Sequence, residues 1–184
     1  MQIFDDFTSV EIELNNRLYP LVQTVMPRKR NQVLAFDPGE TTGIVYLEIN
    51  LTDKIHLEYG QLKTPTIEEA VFEVKNIIKE FINMTDPNIR KMVIENYRVY
   101  GWKAESHAWD SLTTAKLVGV LQSLALFSDT PCTLRMAHTP KYACNDQNLK
   151  SWGFDIPPKD KHAKDALRHA LYEIFWPDIA KDNK

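Results

Sequence analysis

Val33-Leu34-Ala35-Phe36-Asp37-Pro38-Gly39-Glu40-Thr41-Thr42-Gly43-Ile44-Val45-Tyr46-Leu47 is the stretch on which the fold turns. A short apolar run stops at Asp-Pro-Gly, and a β-rich run begins at Gly43, so two strands joined by a short loop are expected. Ile55 to Leu62 alternates in part, with Asn50 to Lys54 as the turn before it. The opening is therefore a three-stranded meander.

Beyond the meander the period changes. Thr66 with Glu69 three residues on forms a capping box, and Ile67, Val71, Val74, Ile77, Ile78, Phe81 and Ile82 recur at helical spacing to about Met84. Lys91 to Glu95 reads as a short buried strand ending on a carboxylate, and a long helix follows from about Ser106 to Phe127. Thr133 to Ala137 is a fifth strand. Thr139-Pro140 resembles an N-cap with Pro at the first helical position, predicting one helix to about Trp152. Lys161 to Trp176 is a last helix, stopped by Pro177. A meander followed by βαβ crossovers gives an α/β domain, a mixed five-stranded sheet with helices on both faces. It is expected over residues 33–177, after an extension, 1–32, of unassigned role and before a tail, 178–184.

Composition narrows the class. The 184 residues carry 25 acidic and 22 basic side chains, a formal charge of −3, and 43% are hydrophobic. One domain of this size buries roughly 70% of the surface its unfolded chain exposes. The apolar runs fall well short of the ~20 residues that span a bilayer. Asp5 and Asp6 stand where a secretory signal would be basic and apolar, so a soluble cytoplasmic protein is expected, with Cys132 and Cys144 as reduced thiols. The acidic total argues weakly against a polyanionic partner, but residues 87–171 carry 12 basic and 8 acidic side chains.

Three acidic positions carry the chemistry. Asp37 either caps a hairpin turn or projects from a strand's C-terminal end, where α/β sheets place ligand sites. Glu95, at the end of Met92-Val93-Ile94, is either the strand's first exposed residue or an acid that needs a partner or cation. In His162-Ala163-Lys164-Asp165-Ala166 the histidine and the second acid share a helix face, and a plain polar helix start is the alternative. Clustered carboxylates raise one another's pKa, a conflict that divalent cations relieve. Oxygen-rich sites suit Mg²⁺ or Mn²⁺, and two ions ~3.5–4 Å apart activate water and stabilise the leaving oxygen in phosphodiester hydrolysis. His162, with an ordinary pKa of about 6.5, adds a nitrogen ligand or a proton-transfer group.

With AFDPGETTG at the first strand, VIEN at the fourth and HAKDAL at the last helix, the sequence resembles RuvC-type Holliday-junction resolvases of the RNase H-like nuclease superfamily. It is more like their divergent phage versions than the bacterial enzyme. The resemblance spans about Val33 to Trp176. It implies Asp37, Glu95, His162 and Asp165 as the catalytic, metal-binding set, with His162 where some members have Asp. It further implies Mg²⁺, and a homodimer that cuts two strands of a four-way DNA junction and leaves 5′-phosphates. The helix holding Leu117, Gly119 and Leu121 aligns with the family's dimer-forming helix.

The chain also departs from the family pattern. The family begins directly with its first strand. It often carries a Lys a few residues after the Pro that follows the fifth strand, and Pro140-Lys141-Tyr142-Ala143-Cys144 lacks one at the matching place. The family's aromatic wedge also has no counterpart at the same offset. In its segment, however, Tyr97, Arg98, Tyr100, Trp102 and Lys103 interleave rings and charges that either stack on splayed bases and hold phosphates or pack on the sheet edge. Lys159, Lys161, Lys164, Arg168 and His169 surround the third acidic motif, as DNA contacts or as a solvated helix face, and Arg28-Lys29-Arg30 is either an arm or a linker.

Three rival classes follow from the same motifs. Sugar kinases and actin-like ATPases share the Asp-x-Gly turn, but they need two lobes and a second glycine-rich loop. A chain with six glycines does not supply these, so no nucleotide cofactor is expected. A monomeric RNase H-like nuclease acting on RNA or flaps would use the same acids. A non-catalytic junction-binding protein would have lost some of them.

Overall fold

The computed structural model describes residues 7–25, 31–49, 54–64, 66–96 and 108–176. Its sheet has six strands in the order β1-β4-β3-β2-β5-β6. They are β1 (Thr8–Glu13), β2 (Asn31–Asp37), β3 (Thr41–Ile49), β4 (Lys54–Lys63), β5 (Arg90–Asn96) and β6 (Cys132–Met136). The meander β2-β3-β4 is antiparallel, whereas β2 pairs with β5 and β5 with β6 in parallel. The expected mixed α/β sheet gains one strand. Residues 8–13 of the extension add to the free edge of β4, and Ile12 and Leu18 join the core. The extension's Val10, Ile12 and Leu14 alternate as in a strand, but pairing with a distant edge is not local information.

Helices cover both faces: α1 (Tyr19–Val25), α2 (Ile67–Met84), α3 (Ala108–Phe127), α4 (His138–Ala143), α5 (Asp146–Trp152) and α6 (Lys161–Phe175). β2 is buried on both sides, and its alternation decides what each residue meets. Val33 and Ala35 pack with α6, α1 and α5, while Leu34 and Phe36 pack with α2 and α3. The Thr66 hydroxyl accepts from the Glu69 N–H, as the capping box requires.

The single helix expected from Thr139 to Trp152 is two. The first stops at Cys144, and Asn145, whose side chain accepts from the Asn148 N–H, starts the second, with Ala137 rather than Thr139 at the first N-cap. Gly153, at φ 93°, closes α5 in the left-handed conformation that glycine tolerates. The second correction concerns α3. Leu117 and Leu121 are buried in the core shared with α2, so they cannot form a contact between subunits; Gly119 alone of the three faces outward. Among the described residues, no helix is long and apolar enough to cross a membrane.

Candidate active site

Strand register sets the first two acids side by side. Phe36 pairs with Ile94 across the parallel β2–β5 ladder, so the next residues, Asp37 and Glu95, sit at adjacent strand ends. Both share the parity of Val33, Ala35 and Val93, which face α6. α6 supplies the answering groups. His162 Nδ1 lies 2.9 Å from Asp37 Oδ2, and His169 Nε2 lies 2.8 Å from Glu95 Oε2. Asp165, between them on α6, is buried and held by Arg168 and by the Lys141 ammonium at 3.0 Å. Each of the three carboxylates therefore has a basic partner on one helix.

Two local features bring that helix to the sheet. Gly43 of β3 pairs with Asp37 of β2, and a Cβ built on Gly43 would lie 2.0 Å from the His162 carbonyl oxygen, so only glycine lets α6 start against β3. Asp160, at the helix start, makes no side-chain cap. Instead Gln61 of β4 accepts from the His162 N–H at 2.9 Å and donates to the Lys159 carbonyl at 3.2 Å, satisfying a helix-start donor from outside the helix.

Electrostatically the site is in tension. Burial pushes the Asp37 carboxyl above its usual range; the His162 hydrogen bond opposes this, and the charges of Glu95 and Asp165 add to it. His162 is raised in turn, first by its hydrogen bond to Asp37, against partial burial. For Lys141, desolvation works against the ammonium, but the bond to Asp165 and the fields of Glu95, Asp165 and Asp37 overcome it, so its pKa is raised.

The other expected residues divide. Lys159 and Lys161 are exposed beside the site. Lys164 lies 3.5 Å from Asp146. Arg168, expected to face DNA, is engaged by Asp165, by Asp146 at 2.7 Å and by the Cys144 carbonyl at 3.1 Å; it fastens α6 to α4 and α5. Tyr97, Arg98, Tyr100, Trp102, Lys103 and the Arg28-Lys29-Arg30 run lie outside the described residues. Sequence reasoning missed Lys141 and Gln61 as site residues, and read His169 only as one of the basic residues around the third acidic motif. Only Lys141 had a signal, since the family's lysine was sought nearby and α4 brings this one to Asp165. Cys144 is a free thiol whose pKa burial pushes up to about 12, leaving it unreactive.

No family model and no curated protein matches the chain. Solved structures do. RuvC of Thermus thermophilus in complex with a Holliday-junction substrate superposes with a TM-score of 0.63 at 17% identity, covering 81% of this chain and 96% of that one. Another structure of T. thermophilus RuvC gives 0.61 at 18% identity with the same coverage. The chain thus has the RuvC-type, RNase H-like fold, a mixed sheet between helices, with one further strand on its edge.

Proposed function

We propose that the protein is a divalent-metal-dependent endonuclease that cuts branched DNA, the four-way junction foremost. The observation that carries this reading is that Asp37 and Glu95, at adjacent ends of β2 and β5, lie near enough to Asp165 and His162 of α6 for the charges of Glu95, Asp165 and His162 all to act on Asp37. The RuvC fold supports the choice of substrate, because a solved relative in fold holds a Holliday junction.

The acid set suits a hard divalent cation by donor type and by charge. As they stand, no three His, Cys, Asp or Glu among the described residues converge on one point, since each carboxylate is turned to a basic partner. Glu95 and Asp165 nevertheless push the Asp37 carboxyl upward, a repulsion that such a cation relieves. Asp37, Glu95, Asp165 and His162 would hold Mg²⁺, with Mn²⁺ as a substitute and two ions as the expected complement. When bound, the metal supplies charge that makes water more nucleophilic and steadies the phosphate oxygens.

The chain's own groups do the rest. His162, half-exposed, holds a proton at Nδ1 against Asp37 and can pass it to the 3′-oxygen as water adds to phosphorus and the P–O3′ bond breaks, leaving a 3′-hydroxyl and a 5′-phosphate. Lys141 adds positive charge beside Asp165. Lys159 and Lys161 hold phosphates at the start of α6, and the segment after Glu95, with Tyr97, Arg98, Tyr100, Trp102 and Lys103, reads the branch point.

Resolution of a junction requires two such sites, and the outer face of α3 is the place for a second copy. Lys116, Gly119, Val120, Ser123 and Phe127 line a shallow groove of about 570 Å³ there, and Phe127 is 85% exposed. The test is cleavage of four-way junctions, Y-forks, linear duplex and RNA–DNA hybrid in Mg²⁺. Paired symmetrical nicks in the junction are expected; preference for the hybrid or for single-stranded flaps would overturn the reading in favour of a monomeric nuclease.

A further inference from the structure

α6 carries a histidine that no surface chemistry explains. His169 is wholly buried, one turn beyond Asp165 and two beyond His162 on the sheet-facing side of the helix. Its Nε2 lies 2.8 Å from Glu95 Oε2, and a carboxylate oxygen only accepts, so Nε2 carries the proton. Nδ1, by contrast, has no hydrogen-bond partner among the described residues. Enclosing an imidazole with one nitrogen unanswered costs free energy that a leucine at the same place would not. One turn further along α6, Glu173 is also buried, but it is answered by Arg135 through two guanidinium nitrogens. The orphan nitrogen therefore belongs to His169 itself and is not a habit of this helix.

The three carboxylates differ in how permanent their partners are. His162 on Asp37 and Lys141 on Asp165 have side chains 39% and 41% exposed, so solvent and substrate reach them, although Asp165 also keeps Arg168, whose side chain is 13% exposed. His169 is 0% exposed and has no other place to go. It fixes Oε2 of Glu95 and leaves Oε1 uncommitted among the described residues. Glu95 stands at the end of β5, 18% exposed on its side chain, where an untethered carboxylate would sample several rotamers.

We propose that His169 is a positioning residue for Glu95, trading fold stability for a carboxylate held in one orientation to receive a divalent cation. The proposal rests on Glu95 being a metal ligand, as under the function above. The full chain is compared as wild type, His169→Leu and His169→Gln, by thermal melts in EDTA and by calorimetric titration with Mn²⁺. His169→Leu is expected to melt at or above the wild type and to bind Mn²⁺ at least about tenfold more weakly, while His169→Gln, whose amide nitrogen takes the place of Nε2, stays within about threefold. Unchanged Mn²⁺ affinity in His169→Leu overturns the proposal. So does a glutamine variant that restores the melting temperature of a destabilised leucine variant without restoring affinity. Should the Mn²⁺ pattern appear while wild type leaves branched DNA uncut, the endonuclease reading falls and the role of His169 stands.

Discussion

Asp37 is pulled two ways. His162 favours its carboxylate, and burial together with Glu95 and Asp165 favours the protonated acid and wins. Its folded-state pKa lies above 3.8, so the folded protein binds the proton more tightly and loses stability as pH rises through that interval. Asp37→Asn removes the conflict and keeps an oxygen to accept from His162. In EDTA near pH 7.5 the variant is expected to melt no lower than wild type, while cleavage in Mg²⁺ falls by more than about 100-fold and junction binding persists. Wild-type cleavage by this variant would sink the site assignment. Gly43 sets the opposite kind of limit. Gly43→Ala forces α6 away from β3 by its start, which is overpacking that costs about 1–3 kcal/mol. Melting should fall by several degrees, and the displacement of His162 should lower the cleavage rate by about 10²-fold.

At the scale of elements, α6 organises the site, and Gln61 decides where it begins. Gln61→Ala leaves the His162 N–H and the Lys159 carbonyl without their partner, at about 1 kcal/mol, or a melting drop of roughly 2–4 °C for a domain of this size. Gln61→Glu keeps the acceptor and should lose less; equal losses would show that the His162 N–H does not need this cap. The last helix was legible from its alanines and leucines, and the capping box of α2 from Thr66 and Glu69. α3 was legible as a helix but not in its facing. Its apolar residues lie all round, and only packing sends Leu117 and Leu121 inward and Phe127 outward. The break at Cys144 was hidden because Asn145 reads equally well as a mid-helix polar residue and as a cap.

Across the whole molecule, β1 ties the extension to the domain through a buried histidine. His56 on β4 lies 2.7 Å from Glu58 and 2.8 Å from Glu11, its cross-strand partner on β1. The bond to Glu58 raises its pKa above 6.5, burial opposes, and Glu11 adds to the rise. Its stabilising contribution is therefore complete below pH 6.5 and is lost as pH rises through the higher folded-state value. Melts from pH 6 to 9 should fall more steeply for wild type than for His56→Gln, with hydrogen exchange rising first in β1. His162 titrates in both proteins, so parallel curves would mean that His56 does not hold the strand. Assembly is tested at the same scale. The proposed junction cutting requires a dimer, and Phe127→Glu, on the exposed face of α3, should leave the melting temperature nearly unchanged while sedimentation shows a dimer for wild type and a monomer for the variant.

The sequence by itself marked the meander, the two later strands and the helices α2, α3 and α6, and it placed Asp37, Glu95 and Asp165 at element edges, because the periods of those elements are local. It also determined His162, as part of the same short motif. Only the tertiary structure decided that β1 completes the sheet, that Lys141 reaches Asp165, that Gln61 bonds to the His162 N–H and that His169 bonds to Glu95. Those contacts join residues 24 to 101 apart in the chain, and pairings across such distances leave no period in the sequence. They follow from strand register and from the angle at which α6 meets the sheet, which the whole core sets together.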